Sequence, residues 1–234
     1  MKYMGSKNRF YKELLPIILN NRQQFQYYVE PFCGGCNLID KVDGNRIAND
    51  INTYLIDMFK ELVYNNFIPE KYSKEQYNDI KNNKNKYPNY IVGYVGFNCS
   101  YKGLFFSGYA GETKTKIGTI RDYQQEAINN ILKQVHKLVG VEFKNENYYD
   151  LIIPENIIIY CDPPYKGVSQ YKTEKFNHDL FWDWCRIKTK EGHKVYISEY
   201  NAPNDFECIW SKTAKSSLSS SGNKNSIEKL FKLK

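Results

Sequence analysis

The feature that most restricts this chain's fold is the run Ile157–Cys161, "IIIYC", followed at once by Asp162, Pro163, Pro164 and Tyr165. An unbroken apolar run of strand length fits a strand buried on both faces, as in parallel sheets covered by helices on either side. The acid and the two prolines then end it. Proline offers no N–H to a neighbouring strand and its φ is fixed, so the sheet stops there and the turn is stiff. A strand of this kind needs parallel neighbours, and parallel neighbours need crossover connections.

The flanking sequence supplies both. Residues 11–22 read as a short helix, and "QYYVE" gives a strand, Tyr27 to Glu30, that breaks into the glycine turn "PFCGG". "NLIDKV" is placed as the start of a helix behind that turn, and "NRIANDIN" as a second strand with a polar tip at Asn49 and Asp50. In "TYLIDMFKELVYN", Leu55, Met58, Phe59, Leu62 and Val63 recur at helical spacing, as do Ile128, Leu132, Val135 and Leu138 further on. "VEFKNENYYDLI" and "KVYISEY" read as further strands, "KSSLSSSGNKNS" as a mobile loop, and "IEKLFKL" as a last short element. Strand, turn, helix, strand, helix opens a doubly wound α/β sheet.

Residues 67–125 differ in character, being rich in Asn, Lys, Tyr and Gly, and they predict turns, loops and a short hairpin. The expected organisation is a core of residues 1–66 and 126–234 with 67–125 inserted as a small, loop-built specificity region.

Composition narrows the function classes. With 41% hydrophobic and 16% aromatic residues, the chain can build a packed core. No apolar run is long enough to span a bilayer, and "MKYMGSKNRFYKELL" has no apolar signal core, so a cytoplasmic protein without a membrane partner is expected. The net charge of +7 is compatible with a polyanionic partner, while tracts such as "KNNKNK" read equally as solvated surface. Of the six cysteines, Cys33 and Cys36 form a CxxC, but no second pair and no histidine pair completes a zinc site. All six are expected to be small buried thiols in a reducing compartment, with no metal.

Two half-sites carry chemistry. In "VEPFCGGCN" the glycines follow a strand and allow a tight turn with close approach of a ligand to the backbone, and Asp50 ends the next strand, where doubly wound folds bind ribose hydroxyls. The full GxGxxG is absent, so a purely structural turn is nearly as good a reading. At the other half-site Asp162 offers a carboxylate, Pro163 a free carbonyl and Tyr165 a ring, a set suited to a flat amine such as a nucleobase with an exocyclic NH₂.

"DPPY" after an apolar strand, with "EPFCGG" upstream, "KYMGSK" at the start, "ANDIN", "NENYY", "YISEYNAP" and the closing "IEKLF" in this order, resembles the Dam-like (D12 class) DNA adenine-N6 methyltransferases over nearly the whole chain. The resemblance implies a Rossmann-like S-adenosylmethionine-dependent methyltransferase fold with a small inserted target-recognition region. It implies methyl transfer to the N6 of an adenine flipped out of DNA, with S-adenosylhomocysteine as product. Tyr3 and Lys7 would then lie near the cofactor and active site, and Glu30, Pro31, Phe32, Gly34 and Gly35 would form the loop on the cofactor's methionine side. Asp50 would bind its ribose, and Asp162, Pro163, Pro164 and Tyr165 would hold the target base. Where the family has an acid followed by an aromatic near the cofactor adenine, this chain has Asn147 and Tyr148, with Asp150 as an alternative to Asn147.

The inserted region would read DNA through Asn98, Ser100, Tyr101, Lys102 and Arg121, with Lys84, Lys86, Lys114 and Lys116 as further phosphate contacts. Arg121 is the candidate guanine reader, since arginine is the commonest bidentate partner of that base. "SEYNAP" would line the base pocket, and His178 is read as structural. A monomer of bacterial or phage type, with or without a companion restriction nuclease, is the remaining expectation. Methylation of an amine in RNA or protein, or a catalytically silent DNA-binding module, are the alternatives. Asp162 argues against the protein enzymes, which place Asn there, and the intact acid and glycines argue against a silent module.

Overall fold

The computed structural model describes residues 1–165, 176–215 and 225–234. Its first strand, β1 (Tyr28–Glu30), is buried throughout and lies parallel to β2 (Arg46–Asn49), with Glu30 opposite Ala48. The "IIIYC" run forms β6 (Ile158–Cys161), parallel to β1 on its other side, with Val29 opposite Ile159. Beyond β2 lies β5 (Val141–Lys144), and beyond β6 lies β7 (Lys194–Ser198), both parallel. Two antiparallel strands complete the sheet: β9 (Asn225–Leu233) pairs with β7 and with β8 (Phe206–Lys215).

The order β5-β2-β1-β6-β7-β9-β8 reverses direction between β1 and β6. Doubly wound sheets bind ligands at that switch point, outside the carboxyl ends of the strands. The expected α/β class is therefore observed. Burial on both faces follows the two-residue period of the strands. Tyr28, Ala48, Ile158 and Tyr160 join one apolar cluster, while Val29, Ile47, Ile159 and Cys161 join another on the opposite face.

The first face is covered by α1 (Tyr11–Ile18), α2 (Thr53–Tyr64) and α5 (Tyr123–Leu138), the second by α6 (His178–Lys190). Helix α2 starts where Asn52 Oδ1 accepts from Leu55 N at 3.2 Å, and it buries Leu55, Ile56, Met58, Phe59 and Leu62. Two expected helices are shorter than their pattern. Helix α1 stops at Ile18, ahead of Asn21 in a left-handed conformation (φ 56°), and "NLIDKV" forms only a 3-10 turn, Ile39–Lys41. In α5 Ile128 and Leu138 are buried as expected, together with Ile131 and Gln134, while Leu132 is exposed.

The inserted region does contain the expected hairpin, β3 (Glu112–Lys114) with β4 (Ile120–Asp122). It also contains two helices where its composition predicts turns and loops, α3 (Lys74–Asn82) and α4 (Asn89–Asn98). Helix α3 opens with a capping box between Ser73 and Gln76. Helix α4 is buried nearly all round, and a Cβ on Gly93 would come within 2.0 Å of the Tyr54 carbonyl oxygen of α2. Glycine there serves helix–helix contact rather than chain reversal. Tyr72, Tyr77, Ile80, Val92, Tyr94, Val95, Phe97, Cys99 and Phe106 share one core cluster with α1 and α2, so the insertion has no separate core. Among the described residues no helix is long and apolar enough to cross a membrane. Residues 216–224 of the "KSSLSSSGNKNS" tract lie outside the described residues.

Candidate active site

Asp162 follows β6 directly, at the carboxyl edge of the sheet beside the switch point. Lys7, 8% exposed, donates from Nζ to both of its carboxylate oxygens, at 2.8 Å to Oδ1 and 3.1 Å to Oδ2. The same ammonium donates to the Gly5 carbonyl at 3.3 Å, lies 4.8 Å from the centre of the Tyr165 ring and 3.6 Å from Glu228 Oε2. Burial pushes the Asp162 carboxyl up from its ordinary value, and the Lys7 charge and hydrogen bonds oppose that rise. The Tyr165 ring meets Tyr200 edge to face at 4.7 Å, and its hydroxyl donates to Glu228 Oε2 at 3.4 Å. Beneath them, Tyr160 and Ser198 exchange a buried hydrogen bond of 2.8 Å between adjacent strands β6 and β7.

The other half-site is formed by the loops after β1, β2 and β5, three neighbouring strands. Asn49, fully buried at the tip of β2, ties them together. Its Nδ2 donates to the Pro31 and Glu146 carbonyls, both at 3.0 Å, and its Oδ1 accepts from Glu146 N at 3.0 Å. Asn145 Nδ2 adds a bond to the Asp50 carbonyl at 2.8 Å. The Asp50 carboxylate accepts from Gly34 N and Asn52 N, each at 3.0 Å; burial raises its pKa and these bonds pull it back. Phe32 and Tyr148 pack with ring centres 5.1 Å apart, and Tyr148 is buried against Trp184. Asn147 is partly exposed beside them and Asp150 is exposed, its N–H donating to the Asn147 carbonyl at 3.0 Å.

Glu30 is 3% exposed and accepts from the Tyr28 hydroxyl at 2.9 Å. Burial pushes its carboxyl up to about 8, so it holds its proton at neutral pH. The glycines behave differently from the expectation of a bare cradle. Gly34 adopts φ +46°, and a Cβ on Gly34 or Gly35 would fall 2.6 or 2.5 Å from Tyr3. The close approach these glycines permit is thus to the chain's own Tyr3, which also contacts Phe97 at 5.6 Å. The chemistry of the remaining donor set fits an adenosine-bearing cofactor: a strand-tip carboxylate, an aromatic pair and an amide at one sheet edge.

Tyr3 and Lys7 thus divide between the two half-sites, and Phe32, expected in the methionine-side loop, packs instead against Tyr148, the residue expected near the cofactor adenine. The expected DNA-contact residues divide between surface and interior. Tyr101 is 55% exposed and Lys102 is exposed beside it, its Nζ 5.3 Å from the Tyr101 ring centre. Asn98 and Ser100 are buried, however. Asn98 Nδ2 donates to Met58 Sδ at 3.4 Å, and Ser100 shares a 3.0 Å bond with the Tyr77 hydroxyl. Both therefore serve the fold as it stands: Asn98 is the last residue of the buried helix α4, and Ser100, just beyond it, forms a β-bridge with Tyr109. Arg121 on β4 is exposed and paired with Glu126 at 2.6 and 2.9 Å.

Sequence reasoning gave no role to Asn49, Asn145 or Glu228. The strand-tip position of Asn49 was a signal, and Asn145 and Glu228 lie in the "NENYY" and "IEKLF" segments that carry the resemblance, without a role attached to either. Five of the six thiols are buried, but Cys208 is exposed, against expectation. Among the described residues no group of three or more His, Cys, Asp or Glu could hold a metal ion.

Comparison with known proteins supplies the family. The model of the D12 class N6 adenine-specific DNA methyltransferases matches residues 3–229. Type II methyltransferase M.FokI of Planomicrobium okeanokoites is 25% identical over 215 residues, covering 80% of this chain and 32% of that protein. The chain thus spans about a third of the length of that curated relative. Among solved structures, a candidate methylase from Haemophilus influenzae is 10% identical with a TM-score of 0.36, covering 98% of this chain and all of that one. A candidate methyltransferase complexed with SAH is 10% identical with a TM-score of 0.35, covering 93% of this chain and 51% of that one. With a family match running from residue 3 to residue 229, this chain belongs to the D12 class N6 adenine-specific DNA methyltransferase family.

Proposed function

We propose that the chain methylates the N6 amino group of adenine in DNA by direct transfer from S-adenosylmethionine. The observation that carries this reading is the acceptor carboxylate Asp162, at the ligand-binding edge of the sheet, with both oxygens bonded by one nitrogen donor. A site that holds an ammonium nitrogen in this way can hold an amino group. The N6 lone pair is delocalised into the purine and is a poor nucleophile. Acceptance of its hydrogens by Asp162 and by the Pro163 carbonyl localises that pair, and the acceptors bind more tightly as nitrogen gains positive charge. Tyr165 stacks on the extruded base; such stacking contributes ~1–3 kcal/mol and offsets the few kcal/mol of unstacking.

The bound cofactor would supply an electrophilic methyl group on a sulfonium. Asp50, Phe32, Asn147 and Tyr148 would hold its adenosine end, and Glu30, Pro31, Gly34 and Gly35, with Tyr3 above, its amino-acid end. The transfer is in line, with no covalent enzyme intermediate. Residues 67–125 are assigned target recognition, with Tyr101, Lys102 and Arg121 the exposed candidates for DNA contact.

The test is incubation of the purified chain with methyl-labelled S-adenosylmethionine and unmethylated duplex DNA, beside Asp162→Ala, followed by digestion to nucleosides. The expected label is in N6-methyldeoxyadenosine, with at least a ~100-fold loss in the variant. Label in RNA, in protein or in cytosine instead, or no label from a chain that binds the cofactor, would overturn the reading.

A further inference from the structure

We infer that Glu228 is a positioning residue for this transfer, a second carboxylate that receives the Lys7 ammonium when the target amine takes its place on Asp162. The inference rests on the reading above. Lys7 Nζ engages both oxygens of Asp162 and lies over the face of Tyr165. An adenine that uses the same carboxylate and the same ring needs Lys7 to leave both.

A buried cation without a counter-charge is costly, so Lys7 must move to another anion. Glu228 is the one poised for it. It is 8% exposed on β9, and its Oε2 stands 3.6 Å from Lys7 Nζ, beyond the ~2.7–2.9 Å of a charge-assisted bond. A small swing of Nζ therefore exchanges the Asp162 contact for a Glu228 contact. Two further contacts hold Glu228 ready. The Tyr165 hydroxyl donates to Oε2 at 3.4 Å, and Arg9 Nη2 lies 4.0 Å from Oε1, balancing the carboxylate while Lys7 stays on Asp162. Tyr165 thus touches both the ammonium that leaves and the carboxylate that receives it.

The experiment compares the full chain with Glu228→Gln, Glu228→Asp, Lys7→Met and the Lys7→Met/Glu228→Gln double variant. Two quantities are read: DNA methylation kinetics, and calorimetric binding of deoxyadenosine to protein saturated with S-adenosylhomocysteine. Glu228→Gln is expected to lower kcat and weaken deoxyadenosine binding about tenfold, with the KM for S-adenosylmethionine unchanged, and Glu228→Asp to recover part of both. In the Lys7→Met background the Gln substitution is expected to add nothing, because no ammonium remains to be received.

Equal effects of Glu228→Gln in both backgrounds, or a lower melting temperature with unchanged kcat and binding, would make Glu228 a structural ion-pair residue and overturn the hand-off alone. Failure of the unmodified chain to bind deoxyadenosine and to label DNA would overturn the methylation reading and the hand-off with it.

Discussion

The two halves of the site are held by different forces. On the side proposed for the cofactor, the loops after β1, β2 and β5 are joined by buried and partly buried 3.0 Å bonds between amide groups and backbone, with Asn49 at the centre. On the side of Asp162, the carboxylate is held by the ammonium of Lys7, from before α1, and that ammonium also lies beside Glu228 on β9. Amide-to-backbone bonds fix a geometry, since each leaves a desolvated orphan if broken. An ammonium between two carboxylates has two places to go. A group that binds the same way in every cycle suits the first arrangement, and a substrate that must displace something suits the second.

Asn49→Ala offers the largest break in this contrast. It strands the Pro31 and Glu146 carbonyls and the Glu146 N–H in a buried place, and is expected to cost about 3 kcal/mol in urea unfolding. Cofactor affinity should fall with it, while deoxyadenosine binding at Asp162 changes little. A loss below about 1 kcal/mol would mean that the loops are fixed by something else.

Glu30→Gln comes next. Burial raises the Glu30 carboxyl from 4.5 to about 8, so between those values the folded state holds a proton that the unfolded chain has released. Stability of the unmodified chain should therefore decline as pH rises through that window, by up to about 1.4 kcal/mol per pH unit from this group. The glutamine variant should show a flatter profile, and an unchanged slope would place an ionised carboxylate there.

Tyr165→Phe should matter least. Its hydroxyl bond to Glu228 is long, at 3.4 Å, and the ring remains, so kcat is expected to change by no more than about threefold. A tenfold loss would give the hydroxyl a direct part in holding Glu228.

What could be read from the sequence alone follows the range of the interactions involved. Strand β6 and the DPPY turn were legible because "IIIYC" carries its burial in consecutive residues and the prolines carry their restriction locally. Asp50 was legible from its place at a strand tip. Helix α4 was not, because Gly93 and Gly96 look like turn residues until α2 and Phe105 are packed against them. Strands β8 and β9 are longer than their sequence suggests, because polar residues interrupt the apolar ones in each, and each is held by pairing with the other. Asn98 and Ser100 looked available for DNA contact because nothing local says that α4 turns inward. Glu228 sits in the "IEKLF" segment of the resemblance, but nothing local says what it faces, since its neighbours Lys7 and Tyr165 arrive from other parts of the fold.

The position of β9 between β7 and β8 has a consequence for the making of the protein. Synthesis proceeds from the N-terminus at roughly 5–20 residues per second, and the early parts of a chain are free to organise first. The cofactor-side loops lie on strands that have all emerged by residue 144, whereas β9 emerges last of the sheet and must insert itself between two strands already made. A growing chain can therefore form the loops after β1, β2 and β5 before β9 brings Glu228 beside Lys7, so the two halves of the site are completed at different times.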